Sequence, residues 1–124
     1  MPELPEVETI VQGLRTTIMG QTILKVEVVR EDLLATPRGA FVRSLTGGSV
    51  LDIARRGKNI VFSIGANGDT SAIFVVNLGM SGRLLRTESG RTSALVTHPG
   101  ARFRLGDGST LVYHDIRRFG RLTA

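Results

Sequence analysis

The chain has 124 residues, 41% of them hydrophobic, which is enough apolar material for one domain with its own core. It has no cysteine, which excludes disulfides and thiolate metal sites, and its 2 histidines are too few for a metal centre by themselves. It has no apolar run near the roughly 20 residues of a membrane span and no signal pattern, which predicts a cytoplasmic protein. Its net charge of +5 fits a polyanionic partner and a merely solvated basic surface equally well.

A helix is predicted directly after the N-terminus. Pro5 suits the first turn, and Gly20 is a natural stop. Glu6 and Glu8 lie near the start, where the helix dipole favours negative charge, and for Glu8 we expect only this supporting role. The apolar residues in between recur at helical spacing and form one stripe: Val7, Ile10, Val11, Leu14 and Ile18.

Pro2 is the first candidate for chemistry. It follows Met1 directly, so removal of Met1 would expose a secondary amine. An α-amino group has a pKa of about 7.7–8.0 and is a nucleophile near neutral pH. Attack on carbon at the carbonyl oxidation level gives a Schiff base, here a charged iminium, and Glu3 lies beside it to move a proton. Taken by itself, the Met-Pro start is more simply explained as a frayed terminus.

After Gly20 the apolar pattern changes to a period of two, which is typical of strands. Strands are predicted at residues 23–29, 49–55, 60–64, 71–78, 83–86, 101–105, 110–114 and 119–122, with a short helix at 40–45 and a longer loop at 87–98. Glycine-containing turns separate neighbouring strands. This pattern predicts a mainly β (α+β) fold, a two-layer antiparallel β-sandwich flanked by the N-terminal helix and the short second helix.

Three later segments carry side chains suited to opening a DNA duplex. Lys58, one of only two lysines, lies at a glycine-marked turn that can project it into a groove. Met80 lies between two glycines, and Arg117 and Phe119 lie just before another. Proteins that unstack DNA use such parts, namely an apolar wedge, a cation and an aromatic plug. Taken singly, a solvated turn lysine and a core methionine are the plainer explanations.

Together and in this order, these segments resemble the formamidopyrimidine-DNA glycosylase family. The matching stretches are residues 1–9 (MPELPEVET), residues 55–58 (RRGK), residues 78–82 (LGMSG) and residues 115–120 (DIRRFG). They are spread over the whole chain. They are more similar to the oxidised-purine branch of the family than to its endonuclease VIII branch.

The resemblance implies a base-excision repair enzyme that is both a DNA glycosylase and an AP lyase. Pro2 would attack C1′ of a nucleotide that carries 8-oxoguanine or a ring-opened purine (a formamidopyrimidine), and Glu3 would handle protons at the sugar. The iminium would acidify the neighbouring sugar carbon, so that β- and then δ-elimination can follow. Lys58 would contact the phosphate beside the lesion and assist this chemistry.

The resemblance also implies DNA contacts. Met80, Arg117 and Phe119 would fill the hole left by the everted nucleotide, His98 and Arg117 would contact DNA, and Glu6 would be a carboxylate of the site. The implied partner is damaged double-stranded DNA and not a membrane. The implied intact enzyme is a bacterial monomer in the cytoplasm, associated with the nucleoid.

The resemblance covers about the first half of a family member. We therefore expect residues 1–124 to be a single catalytic N-terminal domain that docks in cis on a C-terminal part with the helix–two-turn–helix and the zinc finger. No cofactor is expected in this chain, because the structural zinc belongs to that part. Several phosphate contacts would be missing, so the isolated chain should have little activity. Asn77 and Gly100 replace residues that are commonly His or basic, which should weaken phosphate binding.

Two other interpretations stay open. A non-catalytic basic DNA-binding domain explains the charge, but it has no need for Pro2, Glu3 and Lys58 together. A tautomerase that uses Pro2 as a base shares only the Met-Pro start, and its proline opens a strand, whereas the residues after Pro5 predict a helix.

Overall fold

The computed structural model describes residues 4–79, 82–88, 99–115 and 120–124. The elements in chain order are α1 (Leu4–Thr17), β1 (Ile23–Val28), a 3-10 turn (Glu31–Leu33), α2 (Arg38–Leu45), β2 (Ser49–Arg56), β3 (Asn59–Ala66), β4 (Asp69–Asn77), β5 (Arg83–Thr87), β6 (Pro99–Leu105), β7 (Thr110–His114) and β8 (Arg121–Thr123). All predicted strands and the short helix are present, displaced by at most two residues at either end. Most of the predicted loop at 87–98, and Phe119 of the last predicted strand, lie outside the described residues.

The strands form two antiparallel sheets of four strands each, in the orders β1-β6-β7-β5 and β2-β3-β4-β8. Phenylalanine rings join the sheets: the centroids of Phe74 on β4 and Phe103 on β6 are 5.1 Å apart, and Phe41 of α2 contacts both rings. All three side chains are buried. The predicted two-layer sandwich is therefore confirmed, with its core between the two sheets.

The helices pack beside the sandwich. The predicted stripe of α1 is confirmed, because Val7, Val11 and Leu14 are buried in the core. α1 contacts β2, the edge strand of one sheet, and shares a shallow depression with β5, the edge strand of the other. α2 contacts β1 and β4. Neither helix in the described ranges is long and apolar enough to cross a membrane.

One element was not predicted, the 3-10 turn Glu31–Leu33. Two charged residues open it, and Leu33 alone turns inward, where it is fully buried. A single buried residue gives no periodicity, so no helical pattern is visible in the sequence at this point.

Candidate active site

Lys58 lies at the tip of the hairpin between β2 and β3. The two-residue turn Gly57–Lys58 separates Arg56 from its cross-strand partner Asn59. Gly57 has a φ of +60°, and Lys58 does not have a positive φ. This sign pattern is that of a type II′ turn, which takes glycine first. The side chain of Lys58 is exposed and makes no hydrogen bond or ion pair within the described ranges, so its ammonium group is available to an anion.

The Lys58 turn lies at one end of the sandwich, which we call the loop end. In one sheet Asn77 is opposite both Asn59 and Arg121, and in the other sheet His114 is opposite both Pro99 and Arg83. These six residues define the loop end. The chain passes between the sheets twice here, through residues 78–82 and through residues 115–120.

The register of the strands places the chain positions next to five candidate residues at this one end of the sandwich. Lys58 and His98 each adjoin a loop-end residue in sequence, and Met80, Arg117 and Phe119 lie within three residues of one. Of these five, only Lys58 is among the described residues. Pro2 and Glu3, like the other four, lie outside the described ranges, so the positions of their side chains stay predictions.

Helix α1 is joined to the same end through Glu8. Its Oε1 accepts a hydrogen bond from Gln12 Nε2 at 2.9 Å, and its Oε2 accepts one from Arg55 Nε at 3.0 Å. These bonds lower the pKa of Glu8, that from Gln12 having the larger effect. Arg55 Nη1 also donates to the Gly57 carbonyl oxygen at 3.1 Å. A single guanidinium group therefore connects α1 with the turn that carries Lys58.

Sequence reasoning missed this connection and expected Glu8 to support the helix start only. The ion pair joins residues that are 47 positions apart, and no local sequence pattern predicts such a contact. Glu6, the candidate site carboxylate of the helix, is exposed in the first turn and has no polar partner among the described residues. It faces solvent at the start of α1.

Asn77 connects two of the loops. Its Nδ2 donates to Asn59 Oδ1 at 3.0 Å, and its Oδ1 accepts a hydrogen bond from the Gly79 N–H at 2.9 Å. Asn59 follows Lys58, and Gly79 precedes Met80. The Asn77 amide thus ties the Lys58 hairpin to the start of the first crossing between the sheets. This is a structural task that the sequence did not reveal.

The buried carboxylate of Asp115 holds residues 115–120, the second crossing between the sheets. Asp115 is fully buried, and its Oδ2 accepts hydrogen bonds from the Tyr113 hydroxyl at 2.9 Å and from the Gly120 N–H at 3.0 Å. Arg30 Nη1 donates to the Asp115 carbonyl oxygen at 2.9 Å. Asp115 is one end of the segment that carries Arg117 and Phe119, and its Oδ2 is hydrogen-bonded to Gly120 at the other end. Burial, and then the nearby charge of Asp115, raise the pKa of Tyr113.

Gly100 is buried in the interior, although it directly follows the loop-end residue Pro99. An added Cβ would overlap Leu33 Cδ1, and the Gly100 carbonyl oxygen accepts hydrogen bonds from the N–H groups of Val29 and Arg30, at 2.8 and 3.0 Å. The absence of a side chain here is explained by packing. Across the described part of the chain, no three acidic or histidine side chains are grouped so that they could hold a metal ion.

Comparison with known proteins agrees with this geometry. Residues 1–122 match the family model of the formamidopyrimidine-DNA glycosylase N-terminal domain. Proteins named formamidopyrimidine-DNA glycosylase are 40% identical over 121 residues in Streptococcus thermophilus and 42% identical over 126 residues in Heliobacterium modesticaldum. The matches cover 97% and 99% of this chain but 41% and 44% of those proteins, so the chain spans less than half their length.

Solved structures give the same result. Lactococcus lactis Fpg in complex with DNA that contains an abasic site superposes with a TM-score of 0.86 at 29% identity, over 98% of this chain and 43% of that one. The same protein in complex with Fapy-dG-containing DNA also gives a TM-score of 0.86 at 29% identity, with the same coverage. The fold and the family-model match therefore point to the same group of proteins.

Proposed function

This chain belongs to the formamidopyrimidine-DNA glycosylase family, and on that premise we propose that it is the catalytic N-terminal domain of a base-excision repair enzyme. Its substrates would be oxidised or ring-opened purines in DNA, 8-oxoguanine and formamidopyrimidines among them. The observation that carries the proposal is the convergence of the Lys58 turn, both crossings between the sheets and the start of β6 at the loop end. Residues that are far apart in sequence are attached there to neighbouring strand ends of the two sheets.

The proposed chemistry begins at the amine of Pro2. Its nitrogen attacks C1′, the glycosidic bond breaks, and the bonding electron pair leaves with the base, which takes up a proton. The nitrogen loses its proton, and its lone pair forms the C1′=N⁺ bond of an iminium as the C1′–O4′ bond breaks. The electron pair of that bond leaves with O4′, which takes up a proton, so the sugar ring opens. The iminium acidifies C2′–H, so proton loss there expels the 3′-phosphate, and δ-elimination then expels the 5′-phosphate. Glu3 would transfer protons at the sugar, and Glu6 would contribute a second carboxylate.

The loop-end residues would hold the DNA open around this reaction. Lys58 would bind the phosphate beside the lesion, since its ammonium group is exposed and has no partner within the described ranges. Met80, Arg117 and Phe119 would occupy the space that the everted nucleotide leaves, and His98 with Arg117 would contact the DNA. The hydrogen bonds of Asn77 and Asp115 support this assignment. Asn77 holds the start of the segment that carries Met80, and Asp115 joins both ends of the segment that carries Arg117 and Phe119.

The partner would be damaged double-stranded DNA in the bacterial cytoplasm. Residues 1–124 would form one domain that docks in cis on a C-terminal part of a monomeric enzyme. The curated relatives are more than twice as long as the matched region, so phosphate contacts from their remaining length would be missing here. Each lost phosphate contact weakens DNA binding steeply at physiological salt, and we expect the isolated chain to turn over slowly or not at all.

Borohydride trapping tests the proposal, because reduction turns a transient Schiff base into a stable bond. The full chain is incubated with a duplex that contains one abasic site, which removes the need for base excision, and undamaged duplex is the control. We expect a protein–DNA adduct only with the abasic duplex, and much less adduct with Pro2→Gly. DNA binding without any adduct, or an equal yield from both proteins, would favour the non-catalytic DNA-binding domain instead.

A further inference from the structure

Arg55 fixes the Lys58 turn relative to helix α1. Its Nε donates to Glu8 Oε2 at 3.0 Å, and its Nη1 donates to the Gly57 carbonyl oxygen at 3.1 Å. A guanidinium group is planar and rigid, so bonds made through two of its nitrogens hold their two partners in a defined relation to each other. Because Lys58 shares a peptide bond with Gly57, the second bond acts on the peptide unit that carries Lys58.

The Glu8 end of this connection is itself fixed. Gln12 donates to the second carboxylate oxygen at 2.9 Å, so both oxygens of Glu8 have a donor. The helix beneath is held by Val7 and Val11, which are buried in the core. Arg55 therefore fixes the position of the turn relative to a helix that is packed on the core. The two strands that the turn joins are not its only support.

A second arginine makes the same kind of connection further from the turn. Arg15 Nη1 lies 2.6 Å from Asp52 Oδ1 and 2.6 Å from the Ile53 carbonyl oxygen, and it too joins α1 to β2. Both ion pairs are partly exposed, and such pairs contribute little to global stability. Arg15 and Arg55 are thus alike in chemistry and in the elements they join. They differ in that only Arg55 contacts the Lys58 turn.

We propose that Arg55 is a positioning residue that sets where the Lys58 ammonium group lies relative to the start of α1. The inference rests on the proposed function, in which Lys58 meets a phosphate while the residues before Leu4 supply the amine. Arg55 would touch neither the sugar nor the base. Its two hydrogen bonds keep the distance between the two catalytic elements constant when DNA binds.

The test compares Arg55→Gln with the matched control Arg15→Gln in the full chain. Backbone NMR relaxation of Gly57 and Lys58 measures the order of the turn without reference to any reaction. Borohydride trapping on an abasic duplex measures the rate of the amine step. Protein concentrations are used at which more protein gives no further adduct. Each variant is also combined with Lys58→Met, and duplex affinity is measured over a range of salt concentrations.

We expect Arg55→Gln to disorder the turn and to slow trapping about tenfold or more, because small misplacements of reacting groups have large effects on rate. Arg15→Gln should do neither. In the Lys58→Met background, Arg55→Gln should slow trapping no further. Arg55→Lys keeps the charge but not the planar fork, and it should disorder the turn as Arg55→Gln does.

Three results would overturn the proposal: an ordered turn in Arg55→Gln, equal trapping rates in the two glutamine variants, or effects of Arg55→Gln and Lys58→Met that simply multiply. A further fall of about one in the salt slope of DNA binding when Arg55→Gln is added to Lys58→Met would make Arg55 itself a phosphate contact and would also overturn it. If the wild-type chain forms no adduct, the proposed function fails. The relaxation data then still decide whether Arg55 holds the turn.

Discussion

The Tyr113 hydroxyl donates a hydrogen bond to the buried carboxylate of Asp115 at 2.9 Å, and Asp115 begins the segment that carries two of the candidate DNA contacts. The same carboxylate oxygen accepts the Gly120 N–H at 3.0 Å, so one acid closes both ends of residues 115–120. A buried carboxylate is costly unless its oxygens are hydrogen-bonded. Both described ends of this segment, Asp115 and Gly120, are therefore held from inside the core.

Stability should fall in alkali because of Tyr113. Its pKa is raised in the folded state, chiefly by burial, so the folded chain holds the phenol proton more tightly than the unfolded chain does. The stabilisation is complete below the unfolded pKa of about 10 and declines as the pH rises above that value. Urea unfolding should show this decline in the wild type and a smaller one in Tyr113→Phe. Tyr113 is the single tyrosine, so tyrosinate absorbance reports its ionisation directly, and ionisation near pH 10 in the native protein would contradict the prediction.

Gly120 should tolerate no side chain. An added Cβ would overlap the Tyr113 hydroxyl and lie 2.6 Å from the Asn77 carbonyl oxygen. Gly120→Ala should therefore cost several kcal/mol, on the order of 2–4, or prevent folding. Gly13→Ala is the matched control, since nothing lies within 4 Å of its Cβ position in α1, and it should raise stability by about 1 kcal/mol. Equal unfolding free energies for the two variants would contradict the packing described here.

Two Asn77 variants should distinguish the effect of its hydrogen bond to Asn59 from the effect of its hydrogen bond with Gly79. Asn77→Ala removes the bonds to Asn59 and Gly79 and should cost about 1–2 kcal/mol in urea unfolding. Asn77→Asp keeps an acceptor for the Gly79 N–H but loses the donor to Asn59 Oδ1. Hydrogen exchange should then be faster at residues 57–59 and unchanged at Gly79. If hydrogen exchange at residues 57–59 is the same in the wild type, Asn77→Ala and Asn77→Asp, then Asn77 does not tie the Lys58 hairpin to the segment that begins at Leu78.

The Lys58 turn should loosen in acid before the domain unfolds. The pKa of Glu8 is lowered in the folded state by Gln12 and Arg55, so its ion pair is present above the unfolded pKa of about 4.3 and is lost as the pH falls through the lower folded value. NMR relaxation at Gly57 and Lys58 should show rising disorder in that range. Glu8→Gln should show the disorder at neutral pH and little further change in acid. A turn whose order does not depend on pH in the wild type would contradict the prediction.

The two lysines provide a matched pair for DNA binding. Lys58 is exposed at the loop end, and Lys25 is exposed on β1, opposite Arg104 and away from that end. Lys58→Met should reduce affinity for an abasic duplex and lower the salt slope by about one, because one phosphate contact is lost. Lys25→Met removes the same charge and should leave both quantities nearly unchanged. Equal effects would mean that DNA responds to net charge and not to the Lys58 turn.

Local patterns predicted the elements of this fold well. The stripe from Val7 to Leu14 defines the buried face of α1, and the glycine of the Gly57–Lys58 turn places that turn correctly. Both depend on neighbours in sequence, through helical periodicity and through the backbone conformation of one glycine. The sandwich followed from the number and length of the strands.

Contacts over long sequence separations could not be predicted. The pairing of β1 with β6 and the ion pair between Glu8 and Arg55 depend on how the sheets assemble, which no short window of residues encodes. Asn77 looked like a weakened phosphate ligand, yet its amide is engaged with Asn59 and Gly79. The resemblance to a family supplied the candidate residues. The register of the strands then explained why they attach at one end.

The most direct test of the account is the identity of the atom that bonds to the sugar. The reduced adduct between the full chain and an abasic duplex is digested with trypsin and nuclease, and the modified peptide is located by mass spectrometry. We predict that the sugar remnant is carried by the peptide that begins at Pro2 and ends at Arg15. A remnant on Lys58 or Lys25, with the peptide from Pro2 unmodified, would contradict the central claim.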